Sequence, residues 1–135
     1  MDTASSITEG NVMKYDISHA IPLLRPNSQW VLIGDSYEGL DWRNGDAPPT
    51  EQELLDKVQE LQDVEAMRLL RIERDRRLKE VDWVVTKAYS QNLPLSTEWA
   101  NYMQGLRDLP ATATPTLNSS YNLDLESVTW PVKPT

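Results

Sequence analysis

Between Pro49 and Pro94 the chain contains neither proline nor glycine. A run that long without a helix breaker constrains the fold more than any other feature, because it leaves one long helix as the simplest local structure. Thr50-Glu51-Gln52-Glu53 opens it as a capping box, with Thr50 as the cap and Glu53 at the third helical position. The helix is predicted to run to about Asp82, roughly 32 residues and about 48 Å.

Charge supports a single element. Glu51, Glu53, Asp56, Glu60, Asp63 and Glu65 dominate its first half, and Arg68, Arg71, Arg74, Arg76, Arg77 and Lys79 its second. That order complements the positive start and negative end of a helix dipole. Leu54, Val58, Leu61, Val64, Met67, Leu70, Leu78 and Val81 recur every three to four positions without a strict heptad, and Arg74 interrupts them. Such a drifting stripe cannot keep one straight seam. The helix is expected to pack on different neighbours at its two ends, an arrangement compatible with a homo-oligomer.

The core must be modest. The chain has 135 residues, five Trp and no Phe, so aliphatics and a few large indole rings carry most of the burial. No Cys is present, which removes disulfides and thiolate metal sites. The first residues, Met1 to Ser6, show no basic stretch leading into an apolar run, so neither a leader nor a membrane partner is expected. A net charge of −8 repels phosphate backbones, and no nucleic acid partner is expected.

Before the long helix, a polar tail leads to Ser18, which is read as the cap of a short helix stopped by Pro26. Gln29 to Ile33 and Tyr37 to Trp42 then read as two strands joined by Gly34-Asp35-Ser36. A lone hairpin is marginal in water, so it must pack on a helix, a third strand or a partner. Residues 43–49 read as a linker.

After the long helix, Ser96 is expected to cap a second helix, Thr97 to Leu109, ended by Pro110. Trp99, Tyr102, Met103 and Leu106 fall on one face of it, and Trp83 and Trp99 are expected in the core near the connection. From Ala111 onwards the chain is rich in Ser, Thr, Asn and Pro and reads as an extended arm anchored by Tyr121, Leu123, Leu125, Val128 and Trp130. Its removal is expected to leave the helices folded. The predicted fold is α+β and mostly helical: an N-terminal β-hairpin (1–49), a long central helix plus a second shorter helix forming a helical hairpin (50–110), and the arm (111–135).

Catalytic signals are thin. Gly34-Asp35-Ser36 after an apolar run resembles the nucleophile block of GDS-type esterases, but the only histidine, His19, lies upstream and no Asp-x-x-His follows. A turn needs the same residues for backbone reasons. Gly34 and Gly39 have phosphate-loop spacing, yet Leu40 and Asp41 stand where Lys and Ser or Thr belong. One His and scattered carboxylates match no metal spacing. The basic run is interleaved with Glu73, Asp75 and Glu80 and lacks a stacking platform, so it reads as a solvated or intermolecular salt-bridge face. No catalytic, cofactor or metal residue is assigned.

Three blocks stand out together: Arg74-Asp75-Arg76-Arg77-Leu78-x-Glu80-x-Asp82-Trp83; Trp99 and Tyr102 followed by Leu106-Arg107-Asp108-Leu109-Pro110; and Trp130-Pro131-x-Lys133-Pro134. In order and residue type they resemble the C-terminal half of the tail fibre assembly proteins (tail assembly chaperones) of tailed bacteriophages, over residues 71–110 and 128–134. The stretch from Leu23 through Trp42 is similar to an N-terminal module of phage tail-associated proteins. This resemblance implies a non-enzymatic protein of the host cell cytoplasm that helps a trimeric tail fibre protein fold and trimerise, some relatives staying attached in the virion tail. The chain departs from the pattern in a longer polar insert, Thr112 to Ser127, which suits a tether. The expected partner-binding residues are Trp99, Tyr102, Leu106, Tyr121 and Trp130, with no cofactor. The alternative is a permanent structural or adaptor subunit that contacts other tail or baseplate proteins.

Overall fold

The computed structural model describes residues 14–135; the polar tail before them lies outside the described residues. Their contacts gather into two compact units, 14–65 and Ala66–Thr135, each with its own apolar clusters.

In the first unit, α1 (Ile17–Leu24) is capped by Asp16 rather than Ser18. The Asp16 carboxylate accepts from the Ser18 N–H at 2.9 Å, and His19 Nδ1 accepts from the Asp16 N–H at 3.1 Å. The single histidine thus closes a capping box. Two short strands, β1 (Trp30–Leu32) and β2 (Leu40–Trp42), pair antiparallel with Trp30 opposite Trp42 and Leu32 opposite Leu40. The second strand begins three residues later than the sequence suggested, because Tyr37–Gly39 closes a 3₁₀ turn. A Cβ at Gly39 would lie 1.9 Å from the Ile33 carbonyl oxygen, so no larger residue fits this crossing.

Period-two alternation places Trp30, Leu32, Leu40 and Trp42 on one face, which packs with Ile17, Ala20, Ile21 and Leu54. The hairpin therefore rests on helices. Residues 43–49 are also tied in, since Trp42 Nε1 donates to the Asp46 carbonyl at 2.7 Å and the Tyr37 hydroxyl to the Pro49 carbonyl at 2.9 Å.

The long helix, α2, spans Glu51–Ser90. Its start matches the capping box: the Thr50 N–H donates to Glu53 Oε1 at 2.8 Å and the Glu53 N–H to Thr50 Oγ1 at 3.1 Å. Its end lies beyond Asp82, because Val84 and Val85 continue to pack on the second helix. The stop is Asn92, with φ 56. The Leu93 N–H reaches back to the Ala88 carbonyl at 2.9 Å, the six-to-one bond of a Schellman closure.

The stripe changes neighbours along the helix, as its drift implied. Leu54 and Val58 pack in the first unit; Leu69, Leu70, Leu78 and Val81 pack in the second. Val64 is off the buried face and exposed, whereas Glu65 and Glu73 are buried.

In the second unit, α3 (Thr97–Thr112) starts at the Ser96 cap and continues past Pro110. The proline falls in the last turn, where the buried Leu109 holds the backbone and the Ala113 N–H still bonds to the Leu109 carbonyl at 2.9 Å. Leu69 and Leu70 of α2 cluster with Leu109, while Val81 clusters with Tyr102 and Leu106. Early residues of one helix thus meet late residues of the other, which is a helical hairpin.

The arm folds back on this pair. Leu117 bridges Leu123, and the Asn118 carboxamide oxygen accepts from the Ser120 and Asn122 N–H groups at 2.8 and 3.1 Å. Leu123 and Val128 are buried against Leu69, Leu70 and Leu109. Two of its five expected anchors are therefore core residues, and the helices do not close their core without them.

Candidate partner-binding surface

Within Ala66–Thr135 part of the basic run of α2 gathers on one buried acid. Glu73 is only 1% exposed. Its Oε2 accepts from Arg76 and from Arg77 Nε, each at 2.7 Å, and Arg76 Nε adds a bond to Oε1 at 2.9 Å. Burial alone pushes the Glu73 carboxyl upward, but the hydrogen bonds and charges of Arg76 and Arg77 outweigh it and hold the group below the usual Glu range. Arg76 also bonds Glu80 at 2.9 Å, and Arg74 bonds Asp75 at 2.7 Å. Arg71, Asp75, Arg76, Lys79 and Glu80 remain exposed, so the face is solvated, as one of the two readings of the sequence had it, with Glu73 as its buried member.

Arg77 has a second role. Its guanidinium lies 4.0 Å from the centroid of the Trp130 ring, a cation–π stack. Trp130 Nε1 donates to the Leu125 carbonyl at 3.1 Å. The half-buried indole packs on both apolar clusters of this unit, so a chain of contacts runs from Glu73 through Arg77 to Trp130.

The five expected partner residues fall into different environments. Leu106 is fully buried and Tyr102 is 4% exposed; both serve the interior. Trp99 is half-buried, its ring meeting Tyr102 edge-on at 5.9 Å. Trp130 joins the same cluster. Tyr121 lies apart on the loop of the arm, half-buried and at φ 63.

Trp83 is the residue the sequence reading missed. Expected in the core, it is 62% exposed, with Lys87 Nζ 5.5 Å from its ring centroid. The signal was present: Leu78, Val81 and Val85 mark the packed face, and residue 83 falls outside their three- and four-residue spacing.

Two hollows lie beside this aromatic group. One, of about 590 Å³, is lined by Ser96, Trp99, Tyr102 and residues 131–135. The other, of about 330 Å³, is lined by Val81, Trp83, Trp99, Tyr102, Lys133 and Pro134. Val132, between the two prolines of the terminal segment, is 89% exposed. Trp83, Trp99 and the 131–134 segment together line a concave surface.

Among the described residues, no helix is long and apolar enough to cross a membrane, and no group of three or more His, Asp or Glu is placed to hold a metal. Asp35 and Ser36 sit in the bend before the 3₁₀ turn, as the turn reading required.

No curated protein and no solved structure matches the chain. A family model described as phage tail assembly chaperone protein matches residues 67–135. That segment begins one residue after the second compact unit does, so the family unit and the physical unit coincide even though their common edge falls inside α2. The chain belongs to the phage tail assembly chaperone family.

Proposed function

We propose that this chaperone binds a tail fibre polypeptide and holds it while it folds and trimerises, in the host cytoplasm, by covering apolar surface and without a chemical step or cofactor. The observation that carries this reading is the 62% exposure of Trp83 beside Trp99 and the two hollows, inside the family-matched segment. Large aromatic side chains left in solvent beside concave surface are typical anchors of protein interfaces. Of the partner residues named from the sequence, Trp99 and Tyr102 line these hollows, while Leu106 and Trp130 pack in the apolar cluster with them. The net charge of −8 keeps the unliganded protein in solution.

Co-expression with the fibre gene followed by pull-down tests this. The fibre is expected to be captured by the wild type and lost with Trp83→Ala. Full recovery of trimeric fibre without the protein, or equal capture by the variant, would refute it.

A second reading, a permanent adaptor of the tail or baseplate, is favoured by one observation. Each strand of the hairpin has a single partner among the described residues, and Val31 and Ile33 beside it are 38% and 75% exposed. Such an edge can accept a neighbour's strand. Stoichiometric presence in purified virions supports the adaptor, and absence supports the transient chaperone.

A further inference from the structure

We propose that the aromatic groove of the second unit is a site for an extended Pro-x-Lys-Pro segment, and that the chain's own Pro131–Pro134 occupies it as an exchangeable place-holder. The part of this inference that assigns the incoming segment to the tail protein rests on the proposed function; the site itself does not.

The segment is preset for such a role. Each proline fixes its own φ and pushes the residue before it towards extended backbone. Trp130 and Lys133 both precede a proline, so the segment enters its groove with little left to order, the advantage that polyproline ligands use on aromatic surfaces.

The groove is built for a proline. Gly105 faces the segment from α3, and a Cβ there would come within 3.0 Å of Pro131 Cγ and 3.3 Å of its Cβ. Glycine inside a helix costs about 1 kcal/mol relative to alanine. Here the missing side chain is the seat of the proline ring. Trp99 and Tyr102 line the hollows on both sides, and Lys133 lines both as well, with Glu98 in one wall and Glu80 in the other. Lys133 thus shares one hollow with Glu98 and the other with Arg77 and Glu80, and Glu80 is already bonded by Arg76.

The own segment is weakly held. No backbone group of residues 131–135 hydrogen-bonds another described residue, and Val132 is 89% exposed. Pro131 sits against Gly105, while Trp130 and Val128 stay anchored in the core. An incoming segment exchanges for it without disturbing those anchors.

The test is fluorescence anisotropy with a labelled peptide, Ser-Pro-Val-Lys-Pro-Thr, titrated against the full chain. Replacing both prolines of the protein (Pro131→Ala with Pro134→Ala) removes the internal competitor, and the apparent Kd should fall roughly tenfold. Gly105→Ala fills the seat of the proline ring for the incoming segment as well, so it should weaken the peptide even when combined with the double proline variant. Adding Glu98→Lys to the double variant should weaken the peptide, and a peptide with alanine at both proline positions should not bind. Equal affinity for the wild type and both variants, or indifference to Glu98→Lys, overturns the proposal. Peptide binding that follows this pattern without fibre capture supports the site and refutes the proposed function. Fibre capture without peptide binding refutes the site alone.

Discussion

The two compact units treat their aromatic residues differently. In 14–65, Tyr15, Trp30, Tyr37 and Trp42 are all at least half-buried, and Trp42 and Tyr37 also spend their polar atoms on the backbone of residues 46 and 49. In Ala66–Thr135, Trp83 and Tyr89 are 62% and 86% exposed. Burying a ring stabilises the monomer, and leaving it in solvent forgoes that stabilisation. The unit that forgoes it is the one that matches the chaperone family. Aromatic exposure, not aromatic content, separates the two units.

Four experiments challenge or refine that contrast. Deleting residues 113–135 should have the largest effect, because it strips Leu123, Val128 and Trp130 from the clusters of the second unit. Circular dichroism is expected to show loss of the α2–α3 pair's cooperative melting, and a truncated protein that melts like the full chain would return the arm to the status of a tether. Leu106→Ala should cost about 2–5 kcal/mol, as for other fully buried leucines, measured by denaturant unfolding.

Glu73→Gln comes next, at about 1.5–3 kcal/mol, because Arg76 and Arg77 would lose their charge-assisted bonds to the one buried acid. Its pH signature is specific. A carboxyl held below its unfolded value contributes stability that is fully present above the unfolded pKa and is lost as pH falls through the folded one. The wild type should therefore lose stability on acidification below about pH 4.3, and Glu73→Gln should show a shallower loss; parallel acid profiles would argue against the buried cluster. Smallest is Trp83→Ala, expected within about 0.5 kcal/mol of wild type because the ring is exposed. A large drop in melting temperature would place Trp83 in the core after all and erase the contrast.

Much of the fold was legible where chemistry is local. Thr50 and Glu53 announce the start of α2 by a reciprocal pair of bonds that two residue types suffice to specify. Its end was not legible from periodicity, because Asn92 stops the helix by adopting a left-handed backbone, a property of one residue's φ rather than of any pattern. Pro110 misled for a related reason: a proline in the final turn removes a single N–H, and the burial of Leu109 outweighs that loss. Glu73 was the hardest. Charged residues are read as solvated by default, and only the three-dimensional convergence of Arg76 and Arg77 makes its burial tolerable. On α3 the spacing groups Trp99, Tyr102 and Leu106 on one face but could not tell its inward positions, Tyr102 and Leu106, from its half-buried rim, Trp99.

The stack of Arg77 on Trp130 also has a meaning in time. Ribosomes add roughly 5–20 residues per second, so Arg77 emerges seconds before the ring that completes its surroundings. Until Trp130 arrives, α2 carries an apolar flank with nothing to close it, although the Glu73 ion cluster, made within the helix, is already complete. The flank of α2 that Trp130 covers is therefore closed only after about fifty further residues have been added.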